Sequence, residues 1–91
     1  MNGQLVYLIQ CALMNLGGEA HLDEIYAEVK RISTQKLTGA WEDSIRGEIH
    51  RHSSDSESFE GKNDYFYSVK GKGKGVWGLR NSAKPLTLDD L

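Results

Sequence analysis

The stretch 64–80, DYFYSVKGKGKGVWGLR, admits few structures. Tyr65, Phe66, Tyr67 and Val69 favour a strand, and so do Val76, Trp77 and Leu79. Between the two runs, Gly71, Gly73 and Gly75 alternate with Lys72 and Lys74. Glycine accepts the backbone angles of a tight turn, and the lysines put positive charge at its tip. A two-stranded hairpin is at best marginal alone in water. Phe66, Trp77 and Leu79 therefore need an apolar surface, which the preceding segments must supply.

Those segments read as three helices. Over residues 2–16, Leu5, Leu8, Ile9, Ala12, Leu13 and Leu16 recur at spacings of three and four, and Gly17-Gly18 ends the run. Glu19-Ala20-His21 is long enough only for a bridge or an edge strand. A second helix is expected over 23–32, with Asp23 and Glu24 in its first turn and Lys30 and Arg31 in its last, as the helix dipole favours. A third is expected over 40–52, with Thr38 as the N-cap. Trp41, Ile45 and Ile49 are four apart and should dock on the first two helices. The opposite face presents Ala40, Asp43, Gly47, His50, Arg51 and Ser54, flanked by Ser44 and Arg46. The order helix, short strand, helix, helix, strand, turn, strand gives an α+β winged helix-turn-helix, three helices plus a β-hairpin wing. Residues 1–80 form this domain, and 81–91, which hold the only proline, read as a tail or linker stub.

Charge narrows the partners. The 91 residues carry a formal net charge of −2, with the two signs segregated. Residues 1–29 hold four carboxylates and no Lys or Arg, a net −4. Residues 61–80 hold Lys62, Lys70, Lys72, Lys74 and Arg80 against Asp64, a net +4. Such an asymmetry can bind an anion on one side. No apolar run reaches membrane-spanning length. The single cysteine, Cys11, excludes an internal disulfide and fits a reducing compartment.

Several residues suit nucleic-acid contact, and each has a plainer alternative. Lys70, Lys72 and Lys74 can reach phosphates, or they can solvate a turn. On the third helix, Gly47 and Ala40 permit close approach to a groove. Arg51 can donate to guanine, and Asp43 can accept from an exocyclic amine. The alternative is an ordinary solvated face. Glu42, Asp43 and Glu48 would be costly beside phosphates. Trp41 fits the core better than a base, and Tyr67 can pack on a base methyl or cover the third helix. Ser53 and Ser54 can end the helix and bond phosphate. His50 and His52 are two apart and lack the one-turn spacing of helical metal sites. No phosphate-cradling G-x-x-x-x-G-K-[ST] and no G-x-S-x-G turn occurs, so no catalytic residue, cofactor or metal site is assigned.

Trp41 with Ser44-Ile45-Arg46, His52-Ser53-Ser54-Asp55-Ser56, Asp64-Tyr65-Phe66 and Gly75-Val76-Trp77-Gly78-Leu79-Arg80 together resemble a known family. They are similar to the winged-helix, HARE-HTH-like domains attached to restriction endonucleases, and the resemblance spans most of residues 16–80. It implies a non-catalytic module for double-stranded DNA, some relatives of which recognise N6-methyladenine. It also implies a prokaryotic cytoplasmic setting and a nuclease domain elsewhere in the same protein or in another chain. The alternative function is a winged helix that docks on protein and binds no DNA.

Overall fold

A computed structural model describes residues 2–80 apart from Gln35, Lys62 and Lys72. The expected tail at 81–91 and Lys72, one of the lysines expected to contact DNA, therefore lie outside the described residues. The elements are α1 (Asn2–Asn15), β1 (Glu19–His21), α2 (Leu22–Ile32), α3 (Trp41–Arg51), β2 (Phe66–Ser68) and β3 (Val76–Leu79). The strands form one antiparallel sheet in the order β1-β3-β2. The chain is thus an α+β fold of three helices and a three-stranded sheet.

β3 is the central strand. Ala20 of β1 lies opposite Trp77, and Phe66 and Ser68 of β2 lie opposite Leu79 and Trp77. Strand alternation turns these residues to one face. Ala20, Phe66 and Trp77 are buried there with Val6, Ile9, Ala12 and Leu13 of α1, Ile25 and Val29 of α2, and Ile45 and Ile49 of α3. Phe66 and both α3 isoleucines are fully buried.

Three local devices fix the frame. The Gly18 N–H reaches back to the Leu13 carbonyl at 2.8 Å to end α1, and the Gly18 carbonyl accepts the Leu79 N–H at 2.9 Å. At the start of α2, the Asp23 N–H donates to His21 Nδ1 and the His21 N–H donates to Glu24 Oε1, closing a capping box. Glu28 joins the ends of two helices: it accepts from Asn15 Nδ2 and from Arg31 Nε, both at 2.9 Å.

Thr38 is not the N-cap of α3. That position falls to Ala40, which makes no side-chain cap bond. Helical geometry therefore begins two residues later than a Thr38 cap would require.

The sheet's outer face is built around a glycine. Tyr67, Gly78 and Glu19 are consecutive across β2, β3 and β1. The Tyr67 hydroxyl crosses Gly78 to donate to Glu19 Oε2 at 3.0 Å. A Cβ on Gly78 would meet Tyr67 Cε1 at 2.7 Å. Gly78→Ala should therefore displace the ring, break the bond to Glu19 and cost about 1–3 kcal/mol. A double-mutant cycle by urea denaturation checks this, since most of the cost should vanish in a Tyr67→Ala background.

The Glu28 cluster gives a second prediction. Hydrogen bonds from Arg31 and then Asn15 lower the Glu28 pKa from 4.5 to about 2. A carboxylate whose folded pKa is depressed stabilises the fold above its unfolded pKa and loses that contribution as pH falls through the folded value. Wild-type stability should fall between about pH 4.5 and about pH 2, and Glu28→Gln should flatten that limb in urea titrations across the window.

Candidate nucleic-acid interface

The exposed side of α3 is short. Ala40, Glu42, Asp43, Ser44 and Arg46 are exposed, and Thr38 and Gly39 are exposed just before them. Arg46 Nη2 donates to Asp43 Oδ1 at 2.9 Å, a pair one turn apart with both side chains more than half exposed. Pairs of this kind are worth little in water and open readily to a competing partner. Trp41 is half-buried, its ring edge-to-face with Tyr26 at 6.2 Å. It belongs to the rim of the core.

The second half of the expected face is engaged inward. Glu48 is only 3% exposed, where the sequence reading counts it with Glu42 and Asp43 among carboxylates near the phosphates. Burial of an acidic group requires partners. Arg51 Nη2 lies 3.3 Å from Glu48 Oε2, and His52 Nε2 lies 3.6 Å from Oε1. The Arg51 guanidinium folds back over Gly47, where a Cβ would meet Nη1 at 3.1 Å. Gly47 makes room for this pairing, and Arg51 is committed to Glu48.

Ser53 and Ser54 are likewise structural. Ser53 is fully buried, and its Oγ accepts the Asp55 N–H at 3.3 Å. The Ser54 N–H donates to Asp64 Oδ1, and Arg80 reaches both Asp64 Oδ1 at 2.8 Å and Ser54 Oγ at 2.9 Å. Partial burial raises the Asp64 pKa, but the bonds from Ser54 and Arg80 outweigh it and hold the carboxyl below its usual range. This network ties the loop after α3 to the end of β3. Tyr67 neither covers α3 nor faces it, because it lies across Gly78 on the outer face of the sheet.

His50 turns toward the sheet. Its ring is edge-to-face with Trp77 at 5.0 Å, and Nδ1 is 3.0 Å from Ser56 Oγ. Burial first, and the charge of Arg46 second, push the His50 pKa below its ordinary value. Beside it opens a cavity of about 470 Å³, lined by Asp55, Ser56, Glu57, Ser58, Ser68 and Trp77 and by Gly71 and Gly73 of the β2–β3 turn. The turn closes with Val69 N–H on the Val76 carbonyl at 3.0 Å, and Gly71, Gly73 and Gly75 all have positive φ. Lys70 and Lys74 are exposed on it. The sequence holds no pattern that announces this cavity, since its residues come from three separate segments.

Among the described residues, no group of three or more His, Cys, Asp or Glu side chains is arranged to hold a metal ion, and no helix is long and apolar enough to cross a membrane. No family model, no curated protein and no solved structure matches this chain.

Removal of Arg51 should affect the fold before it affects any ligand. Arg51→Ala leaves Glu48 buried with His52 alone and should cost about 1–3 kcal/mol. The double variant Arg51→Ala/Glu48→Leu should recover much of that loss in thermal melts, because no buried charge then remains.

Proposed function

We propose that the fold is a winged helix-turn-helix that binds double-stranded DNA, with α3 in the major groove and the β2–β3 turn as a wing on the phosphate backbone. The observation that carries this reading is continuity of surface. The exposed Arg46 of α3, which pairs with Asp43, stands near enough to His50 to lower its pKa, His50 lines the cavity, and Gly71 and Gly73 of the lysine-bearing turn line it too. The element order and the sheet order β1-β3-β2 are compatible with such a module.

Division of labour follows from chemistry. Lys70 and Lys74 supply sequence-independent attraction. Asp43 and Arg46 supply an acceptor and a donor to base edges once their mutual pair opens. The likeness to winged-helix domains of restriction endonucleases supports placing the module in a restriction or defence system, as a recognition part whose nuclease lies in another domain or chain. Recognition of N6-methyladenine belongs to the same proposal. The alternative, a protein-docking module, draws on Tyr7 and Met14, which are 39% and 55% exposed on α1.

Lys70→Ala/Lys74→Ala should weaken binding to every duplex and reduce the slope of log K against log salt by about 1.8. Asp43→Ala and Arg46→Ala should instead alter which sequence is preferred, by about 1–3 kcal/mol per base position. Fluorescence anisotropy over a salt series checks both. An unchanged slope in the lysine variant would remove the turn from the interface.

A further inference from the structure

The duplex reading leaves the cavity beside His50 without a role. Its volume of about 470 Å³ falls within the range of sites that bury a small molecule, about 300–1,000 Å³. Trp77 and His50 give it an aromatic wall, and Ser56, Ser58 and Ser68 bring hydroxyls. Asp55 and Glu57 bring carboxylates. Gly71 and Gly73 form a backbone rim, and the exposed Lys70 and Lys74 are their chain neighbours.

This charge layout selects among ligands. A phosphate inside would meet Asp55 and Glu57 and be repelled. A cation is poorly served too. Asp55 Oδ2 already accepts the Ser68 N–H at 2.9 Å and lies 3.5 Å from Arg80 Nη2, while Lys70 and Lys74, exposed next to the lining glycines in the chain, add positive charge to that turn. A neutral planar heterocycle with N–H donors on its edge suits this lining better than either ion. Its face meets the aromatic side chains, its donors meet hydroxyl and carboxylate oxygens, and a phosphate attached to it stays outside beside the lysines.

We propose that this cavity binds a single unpaired nucleobase bearing an exocyclic amino group, presented by DNA held on α3 and the turn. The source of the base rests on the DNA-binding reading, whereas the chemistry of the cavity does not. Extracting a base from the stack costs a few kcal/mol, least where the base is already unpaired. The site would thus favour duplexes with a mismatched or bulged position.

The test has two arms. In the first, amide correlation spectra of the intact chain are titrated with dAMP, dCMP and TMP to about 10 mM, a range that detects a Kd of about 1 mM. Expected are shifts of the Ser56, Ser58, Ser68, Gly71 and Gly73 amides and the Trp77 indole, larger with dAMP and dCMP than with TMP. Ser58→Phe, a change at an exposed residue that lines the cavity, should abolish them and leave the rest of the spectrum in place. Absence of these shifts with every nucleotide, their persistence in Ser58→Phe, or larger shifts with arginine amide would overturn the site. In the second arm, a duplex with one unpaired adenine should bind about tenfold more tightly than its fully paired counterpart, and Ser58→Phe should erase the difference. Equal binding of the two duplexes overturns the extrahelical base and leaves duplex binding intact. Binding of neither, with the nucleotide shifts retained, supports the base cavity and removes duplex DNA as its source.

Discussion

β3 holds the molecule together because each of its faces serves a different contact. Inward, Trp77 covers the helices and meets His50 edge-to-face. Outward, Gly78 lets Tyr67 lie across the strand and reach Glu19. At its end, the Leu79 N–H bonds the turn after α1 and the Arg80 side chain bonds Asp64 and Ser54. A four-residue strand is thereby fixed to α1, to the loop after α3 and to both neighbouring strands. The glycine-lysine turn joins β2 to this strand and closes with the Val69 N–H on the Val76 carbonyl, so the packing of Trp77 and Phe66 anchors both of its ends.

The arginines describe the electrostatics. Arg31 bonds Glu28, Arg46 bonds Asp43, Arg51 pairs with Glu48, and Arg80 bonds Asp64. Every arginine of the chain is thus spent on a carboxylate, and three of these pairs hold structure. The most readily opened is Arg46–Asp43, with both side chains in solvent. Exposed positive charge among the described residues then rests on lysines, Lys70 and Lys74 among them. This arrangement suits an interface in which lysines give attraction and one labile Asp–Arg pair gives selectivity.

Spacing in the sequence is enough to place the helices. The apolar periods at 2–16, 23–32 and 40–52 agree within one residue at each end with α1, α2 and α3. The strand-turn-strand reading of 64–80 and the edge strand at Glu19–His21 hold as well. What the pattern does not carry is which polar residue goes inside. No hydropathy rule sends Glu48 inward; it is buried because Gly47 lets Arg51 fold over it and because His52 stands one turn on. Ser53 is buried because its hydroxyl closes a turn, and Tyr67 faces away from α3 because Gly78 offers it a path to Glu19. These outcomes depend on three-dimensional partners, and they redistribute the expected site. Asp43, Ser44 and Arg46 remain on the surface, Arg51, Ser53 and Ser54 join the scaffold, and His50 becomes the wall of a cavity.

The central claim is that this surface binds duplex DNA through salt-sensitive contacts. The most direct test is fluorescence anisotropy with pools of unmethylated and N6-adenine-methylated duplexes, each at low and moderate salt. The account predicts binding that weakens steeply with salt, with the methylated pool preferred. Failure to bind either pool at low salt would contradict it and leave protein docking as the function of the fold.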